Sequence, residues 1–360
     1  MYAARTARVR DRMAELGVDV LLLSTGADLP WLTGYEALET ERLTMLVLLC
    51  DGDATLVVPR LEAARVEEEP DAFSIRAWDE TDDPVGVVAK LAGSPATAAI
   101  GDHTWARFVL ELQGALPRTA FRKGSEVTAP LRTVKDTAEV DALRAAARAV
   151  DGVVAEMRAR PFAGRTEADV HRELVQRMLD AGHERANFAI VGSGPNGASP
   201  HHEAGGRVIE PGDVVVCDFG GSMRHYCSDI TRLFVVGEPS QEVRDAYAVL
   251  AGAQEKAVHA ATVGTPCEDV DATARRIIAD AGFGDRFIHR TGHGIGVETH
   301  EDPYIVSGNA TPLAPGNAFS VEPGIYLPGR FGLRVEDIVV ATSDGPERLN
   351  QAPRDLAVVE

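Results

Sequence analysis

Apolar positions along the chain alternate between helical and strand spacing. Residues 4–16 carry them at helical intervals up to Gly17, and the apolar run 18–24 reads as a buried strand. Residues 45–50 and 54–58, joined by Asp51-Gly52-Asp53, read as a hairpin. A strand at 96–100 and a helix at 105–116 follow. This alternation predicts a small α/β domain over residues 1–128, with 129–134 (Ala-Pro-Leu-Arg-Thr-Val) as a linker. Residues 135–360 then form a second, longer domain. Its pattern predicts helices at 137–157, 167–181, 242–261 and 267–281. Strands are expected at 187–191, 213–219, 318–326 and 333–342, with a further pair around 223–236. No internal sequence repeat is evident.

Length supports the division, since 360 residues exceed what one core usually organises. With 45% hydrophobic and 25% charged residues the chain reads as a soluble globular protein. A net charge of −19 argues against a nucleic-acid partner, whose phosphates require clustered Lys and Arg. No apolar run is long enough to span a bilayer, and Met1 to Arg12 lacks a signal-peptide pattern, so no membrane partner is expected. Cys50, Cys217, Cys227 and Cys267 show no C-x-x-C spacing and read as reduced thiols of a cytoplasmic protein.

The chemistry concentrates in short strings. Asp218 lies in Val-Cys-Asp-Phe-Gly-Gly, Asp229 in Tyr-Cys-Ser-Asp-Ile-Thr-Arg, and His293 in Arg-Thr-Gly-His-Gly-Ile-Gly. Glu322 lies in Ser-Val-Glu-Pro-Gly-Ile-Tyr and Glu336 in Leu-Arg-Val-Glu-Asp-Ile-Val-Val. A hairpin turning near 220–224 would bring Asp218 and Asp229 to one mouth, and a second turning near 328–331 would do the same for Glu322 and Glu336. The run Val214-Val215-Val216 is apolar on both faces, which places Asp218 in a buried strand rather than at a surface ion pair. Clustering buried carboxylates is unfavourable unless cations neutralise them. Four carboxylates and an imidazole suit two divalent ions, which can also lower the pKa of a bridging water.

These strings, in this order, resemble the pita-bread-fold metallopeptidases, in the Xaa-Pro peptidase branch of prolidases and aminopeptidase P. The resemblance covers essentially the whole chain. It implies an α/β (α+β) two-domain architecture: a creatinase-type amino-terminal domain and a pita-bread catalytic domain. It further implies that Asp218 binds one metal, Asp229 and Glu336 bridge both, and His293 and Glu322 bind the other. Manganese leads the candidates, with cobalt, zinc or iron open. Catalytic roles are implied for His201, His289 and His300 beside the substrate, for Arg334 in supporting the metal site, and for Glu322 as proton shuttle. Small proline-containing peptides are the implied substrates, and a homodimer the implied assembly.

A prolidase needs a cation for the free carboxylate of its dipeptide, whereas aminopeptidase P accepts longer chains. Many prolidases carry an arginine shortly after the histidine matching His300, and here Tyr304 stands in that place. Tyr304 with Arg42 is one candidate replacement clamp, and an open site of an aminopeptidase is the alternative. The absence of a third domain favours the dipeptidase. A non-catalytic pita-bread module that binds peptides is a competing class, against which the complete ligand set counts.

Overall fold

The computed structural model describes residues 1–360 and divides into two compact units, Met1–Arg132 and Thr133–Glu360. The first contains α1 (Tyr2–Leu16), β1 (Val20–Leu23), α2 (Asp28–Thr33), β2 (Met45–Leu49), β3 (Ala54–Pro59) and α3 (Arg60–Ala63). It continues through β4 (Ser74–Trp78), α4 (Pro84–Ala92), β5 (Thr97–Ile100), α5 (Ala106–Ala115), β6 (Ala120–Lys123) and α6 (Ser125–Thr133). Its six strands pair in the order β4-β3-β2-β1-β5-β6. The hairpin β2–β3 is antiparallel as expected, while β1, β5 and β6 run parallel. Residues 129–134, expected as a linker, contain the boundary between the two units, and most of the segment is helical. Helix α6 extends through Pro130 to Thr133, and Val134 bridges Asn317. One proline in a short helix removes a single backbone bond, which the rest of the helix tolerates here.

The second unit opens with α7 (Thr137–Met157), α8 (Glu167–Asp180), β7 (Arg185–Ser193), β8 (Val214–Met223), β9 (Tyr226–Cys227) and β10 (Ile230–Val236). Then come α9 (Gln241–Ala260), α10 (Cys267–Asp280), β11 (Gly292–Gly294), β12 (Glu301–Ile305) and β13 (Ala318–Val321). It ends with β14 (Gly324–Leu327), β15 (Phe331–Arg334), β16 (Asp337–Thr342), β17 (Gly345–Arg348) and β18 (Ala357–Val359). One sheet has the order β18-β10-β8-β7, with β9 beside β8, and the other β12-β11-β13-β16-β17. Strands β14 and β15 pair separately.

Side chains of β8 alternate between two cores, as a strand buried on both faces must. Val215, Cys217 and Phe219 pack with Val150 of α7 and Leu174 of α8. Val214 and Val216 pack on the other face with Leu250 of α9 and Val270 of α10. Asp218 has the parity of Val214 and Val216, so its carboxylate emerges from this second core. Phe219 is fully buried, and Phe219→Ala would cost about 3–5 kcal/mol.

Local breaks set where the acids stand. The expected strand 318–326 is two strands, β13 and β14, interrupted at Glu322 and Pro323. The expected strand 333–342 is likewise β15 and β16, interrupted at Val335 and Glu336. The turn after Asp218, expected over 220–224, falls at the end of that span, at Arg224 and His225, both left-handed (φ 51° and 69°). Position 220 lies within β8 and is glycine because a Cβ there would meet the Ser228 carbonyl at 2.1 Å.

Candidate metallopeptidase site

A cavity of about 950 Å³ lies within the second unit, and all five predicted ligands open into it. Asp218 comes from mid-β8, Asp229 from the gap before β10, and His293 from the centre of β11. Glu322 follows β13 and Glu336 precedes β16, at the two strand breaks. Ligand atoms of Asp229, His293 and Glu336 all lie within 4.8 Å of one another. His293 Nε2 is 3.2 Å from Glu322 Oε1 and 3.7 Å from Asp229 Oδ2. Its Nδ1 lies 3.1 Å from the Gly294 carbonyl. That carbonyl accepts from Nδ1–H, which orients the ring with Nε2 toward the acids.

The polar bookkeeping is incomplete on one side only. Arg334 donates to Asp218 Oδ2, and Thr231 Oγ1 donates to Glu336 Oε2 at 2.7 Å. Asp218 Oδ1, Asp229 Oδ1 and Glu336 Oε1 are buried without any hydrogen-bond partner. A buried orphan acceptor costs about 1–3 kcal/mol, and more when charged. Three on neighbouring carboxylates mark a place that a cation would complete, and the hard oxygen donors with one imidazole fit divalent ions. Burial, followed by the charges of the neighbouring acids, pushes Asp229 and Glu336 well above the usual carboxylate range. Asp218 is pushed up by burial as well, against the pull of Arg334. Glu322 goes the other way. Burial raises it, but the hydrogen bond and charge of His293, with His289 and Arg334, outweigh that and hold it at about 2.

Arg334 organises the floor. Besides Asp218 it donates to Tyr326 Oη at 2.8 Å, Thr231 Oγ1 at 3.2 Å and the Pro200 carbonyl at 3.3 Å. Tyr326 Oη in turn lies 2.8 Å from His289 Nε2, whose Nδ1 is 2.7 Å from the Arg290 carbonyl. His289, lowered by burial, is thereby held at both ring nitrogens. His300 packs its ring 4.0 Å from that of His293. Burial, then the charges of His293 and Arg290, lower it to about 4, so it is neutral near pH 7. His201 lines the cavity from the loop after β7. The adjacent His202 turns away, its Nε2 lying 2.8 Å from Glu167 Oε2.

Tyr304 sits in β12, with the Arg290 guanidinium 4.4 Å from its ring centroid. Arg42 belongs to the amino-terminal unit, where it donates to Glu80 at 2.7 Å and Glu41 at 2.6 Å. Sequence reasoning passed over Tyr326, Thr231 and Ser320, although each stands in one of the quoted strings. Ser320 Oγ accepts from the His293 amide at 3.0 Å and donates to Glu322 Oε1 at 3.1 Å, setting both ligands.

Residues 141–343 match metallopeptidase family M24, and residues 5–134 match the creatinase/prolidase N-terminal domain. The chain belongs to family M24. Within it, a probable dipeptidase PepE of Mycobacterium tuberculosis is 44% identical over 367 residues, covering 100% of this chain and 97% of the relative. The crystal structure of a prolidase from Thermococcus sibiricus is 36% identical with a TM-score of 0.94, covering 99% and 98% of the two chains. An X-Pro aminopeptidase from Thermotoga maritima is 32% identical with a TM-score of 0.86, covering 97% and 100%. The expected architecture, a creatinase-type domain followed by a pita-bread peptidase domain, is therefore the observed one. This M24 chain is a peptidase of a family that works with divalent metal ions. No helix is long and apolar enough to cross a membrane.

Proposed function

We propose that this M24 peptidase is a Xaa-Pro dipeptidase using two divalent ions, manganese foremost, held by Asp218, Asp229, His293, Glu322 and Glu336. The observation that carries the metal reading is the trio of orphaned carboxylate oxygens at one cavity wall. The dipeptidase reading is supported by relatives named dipeptidase and Xaa-Pro dipeptidase. When bound, divalent ions would neutralise the acids and supply Lewis acidity to the scissile carbonyl and to a water.

The chain's own groups carry the remaining steps. Glu322, ionised and oriented by Ser320, accepts the proton of the attacking water and returns it to the departing proline nitrogen. His300, neutral near pH 7, and His201 line the cavity, where an imidazole N–H can donate to the oxyanion as it forms. His289, fixed by Tyr326, and Arg334, fixed on Asp218, keep the constellation in register. Phe188, Ile190 and Ile288 give the cavity an apolar side suited to a proline ring. Reduced cysteines fit a cytoplasmic enzyme, and the family resemblance supports a homodimer.

The test is metal-stripped protein reloaded with manganese and assayed on Ala-Pro, Met-Pro and Ala-Pro-Ala, with bound metal counted per chain. Release of free amino acids from the dipeptides alone, with two ions bound, is the expected result. Turnover of the tripeptide would make the enzyme an aminopeptidase P, and silence on all three would leave only peptide binding.

A further inference from the structure

Two arginines line the cavity, and their situations differ. Arg334 is buried and fully engaged by Asp218, Tyr326, Thr231 and the Pro200 carbonyl. Arg290 is half-buried, and its guanidinium has neither a hydrogen-bond acceptor nor a carboxylate partner. It rests over the face of Tyr304, 4.4 Å from the ring centroid. A guanidinium resting on an aromatic face keeps its edge N–H groups free for an anion in the ring plane's surroundings. This cation faces the cavity that holds the reacting centre.

The segment that carries Arg290 is rigidly held. Arg275 of α10 donates to the carbonyls of Phe287 at 3.1 Å and His289 at 2.9 Å. His289 Nδ1 donates to the Arg290 carbonyl at 2.7 Å, and the Thr291 amide donates to Asp271 at 3.1 Å. The Tyr304 carbonyl is fixed by Asn309 Nδ2 at 2.7 Å. The backbone that carries both partners of the stack is thus held before any ligand arrives, which reduces the ordering cost of binding. Arg42, by contrast, already has two carboxylates on its guanidinium.

We infer that Arg290, seated on Tyr304, receives the free carboxylate of the dipeptide substrate and is a determinant of dipeptide specificity. The inference rests on the Xaa-Pro dipeptidase reading. A carboxylate one residue beyond the scissile bond pairs with the fork of Arg290. A tripeptide places a neutral amide there and leaves the cation desolvated without an anion.

The experiment compares Ala-Pro with Ala-Pro amide on wild type, Arg290→Ala and Arg290→Lys, all manganese-loaded. Binding of the same two probes to the metal-free proteins is measured by NMR titration. Arg290→Ala is expected to lower kcat/KM for Ala-Pro by roughly 10- to 150-fold, mainly through KM, the range set by a charge-assisted pair. Its activity on the amide should stay within about threefold, and Arg290→Lys should recover part of the loss as a point charge without the fork. A residue that merely supported the wall would depress both substrates together. Equal losses on acid and amide, or no loss on the acid, overturn the inference while leaving the dipeptidase reading in place. Should wild type cleave neither probe, the dipeptidase reading falls, and the titration still decides. Acid preferred over amide by wild type and not by Arg290→Ala upholds the anion site, and indifference of both proteins removes it.

Discussion

Glu167 and Glu336 are buried to nearly the same degree, 0% and 1% exposed, yet they live in opposite electrostatic worlds. Glu167, at the start of α8, accepts from the Ser193 amide at 2.8 Å and hydroxyl at 2.7 Å, from Asn196 at 3.1 Å and from His202 at 2.8 Å. Burial raises its pKa, but these bonds outweigh it and the net shift is downward. Glu336 has one bond, from Thr231, and an orphaned oxygen beside Asp218 and Asp229, and it shifts far upward. The protein alone satisfies one carboxylate and leaves the other unfinished. Burial therefore does not mark function among the acids of this chain; what separates them is whether partners come from within. Glu167 ties down the loop that carries His201, so the satisfied acid serves the unsatisfied ones as scaffold.

The largest test of this contrast is chelation. Peptidase activity should fall to background and return with divalent metal, and Asp229→Ala or Glu336→Ala should lose at least about a hundredfold even when metal is resupplied. Activity that survives exhaustive chelation would dissolve the distinction between the two acids.

Stability should then separate them by sign. In metal-free protein, Glu167→Gln is expected to cost about 3 kcal/mol, because a hydrogen-bonded buried charge and its donors lose their match. Glu336→Gln should be neutral or stabilising by about 1 kcal/mol, because it removes a carboxyl whose ionised form burial penalises. Urea unfolding of both variants measures this, and similar losses in the two would break the comparison.

A smaller effect sharpens the catalytic side. Tyr326→Phe cuts the link from Arg334 to His289 and should lower kcat by about 10- to 100-fold with folding intact, as outer-sphere changes at metal sites do. Far-ultraviolet circular dichroism checks the fold and steady-state rates the loss. The least effect is in pH. Because the folded pKa of Glu167 lies below its ordinary 4.5, its contribution is complete above that value and fades as pH falls below it. Acid unfolding of wild type should thus be steeper below pH 4.5 than that of Glu167→Gln.

Much of this was legible in one dimension. The apolar run around Val214 to Val216 announced a strand buried on both faces, and the capping boxes at Asp136 and Thr166 mark helix starts that the pattern also found. Short polar elements were not legible. Strand β11 is Gly-His-Gly and β6 is Ala-Phe-Arg-Lys, and neither has a period long enough to register. A repeat of form escaped as well. Helices α8 and α10 each span 14 residues, and each is preceded by a strand-like bridge, Thr166 with Val208 and Pro266 with Pro312. Packing preserves that correspondence although the side chains differ.

By itself the sequence determined the two-domain layout, the identities of the five ligand candidates and their place on β segments, because those follow from local pattern and from strings of unusual chemistry. Only the tertiary structure decided that Glu322 and Glu336 sit at breaks in their strands rather than within them. It also decided that Arg334, Tyr326 and His289 form one hydrogen-bonded chain, that His202 serves Glu167 instead of the cavity, and that Arg290 alone is left facing the site on Tyr304. The reason is one of range. Period and propensity act over a few residues, whereas the partner that satisfies or abandons a buried charge arrives from 105 or 116 residues away, as Thr231 does for Glu336 and Arg334 does for Asp218.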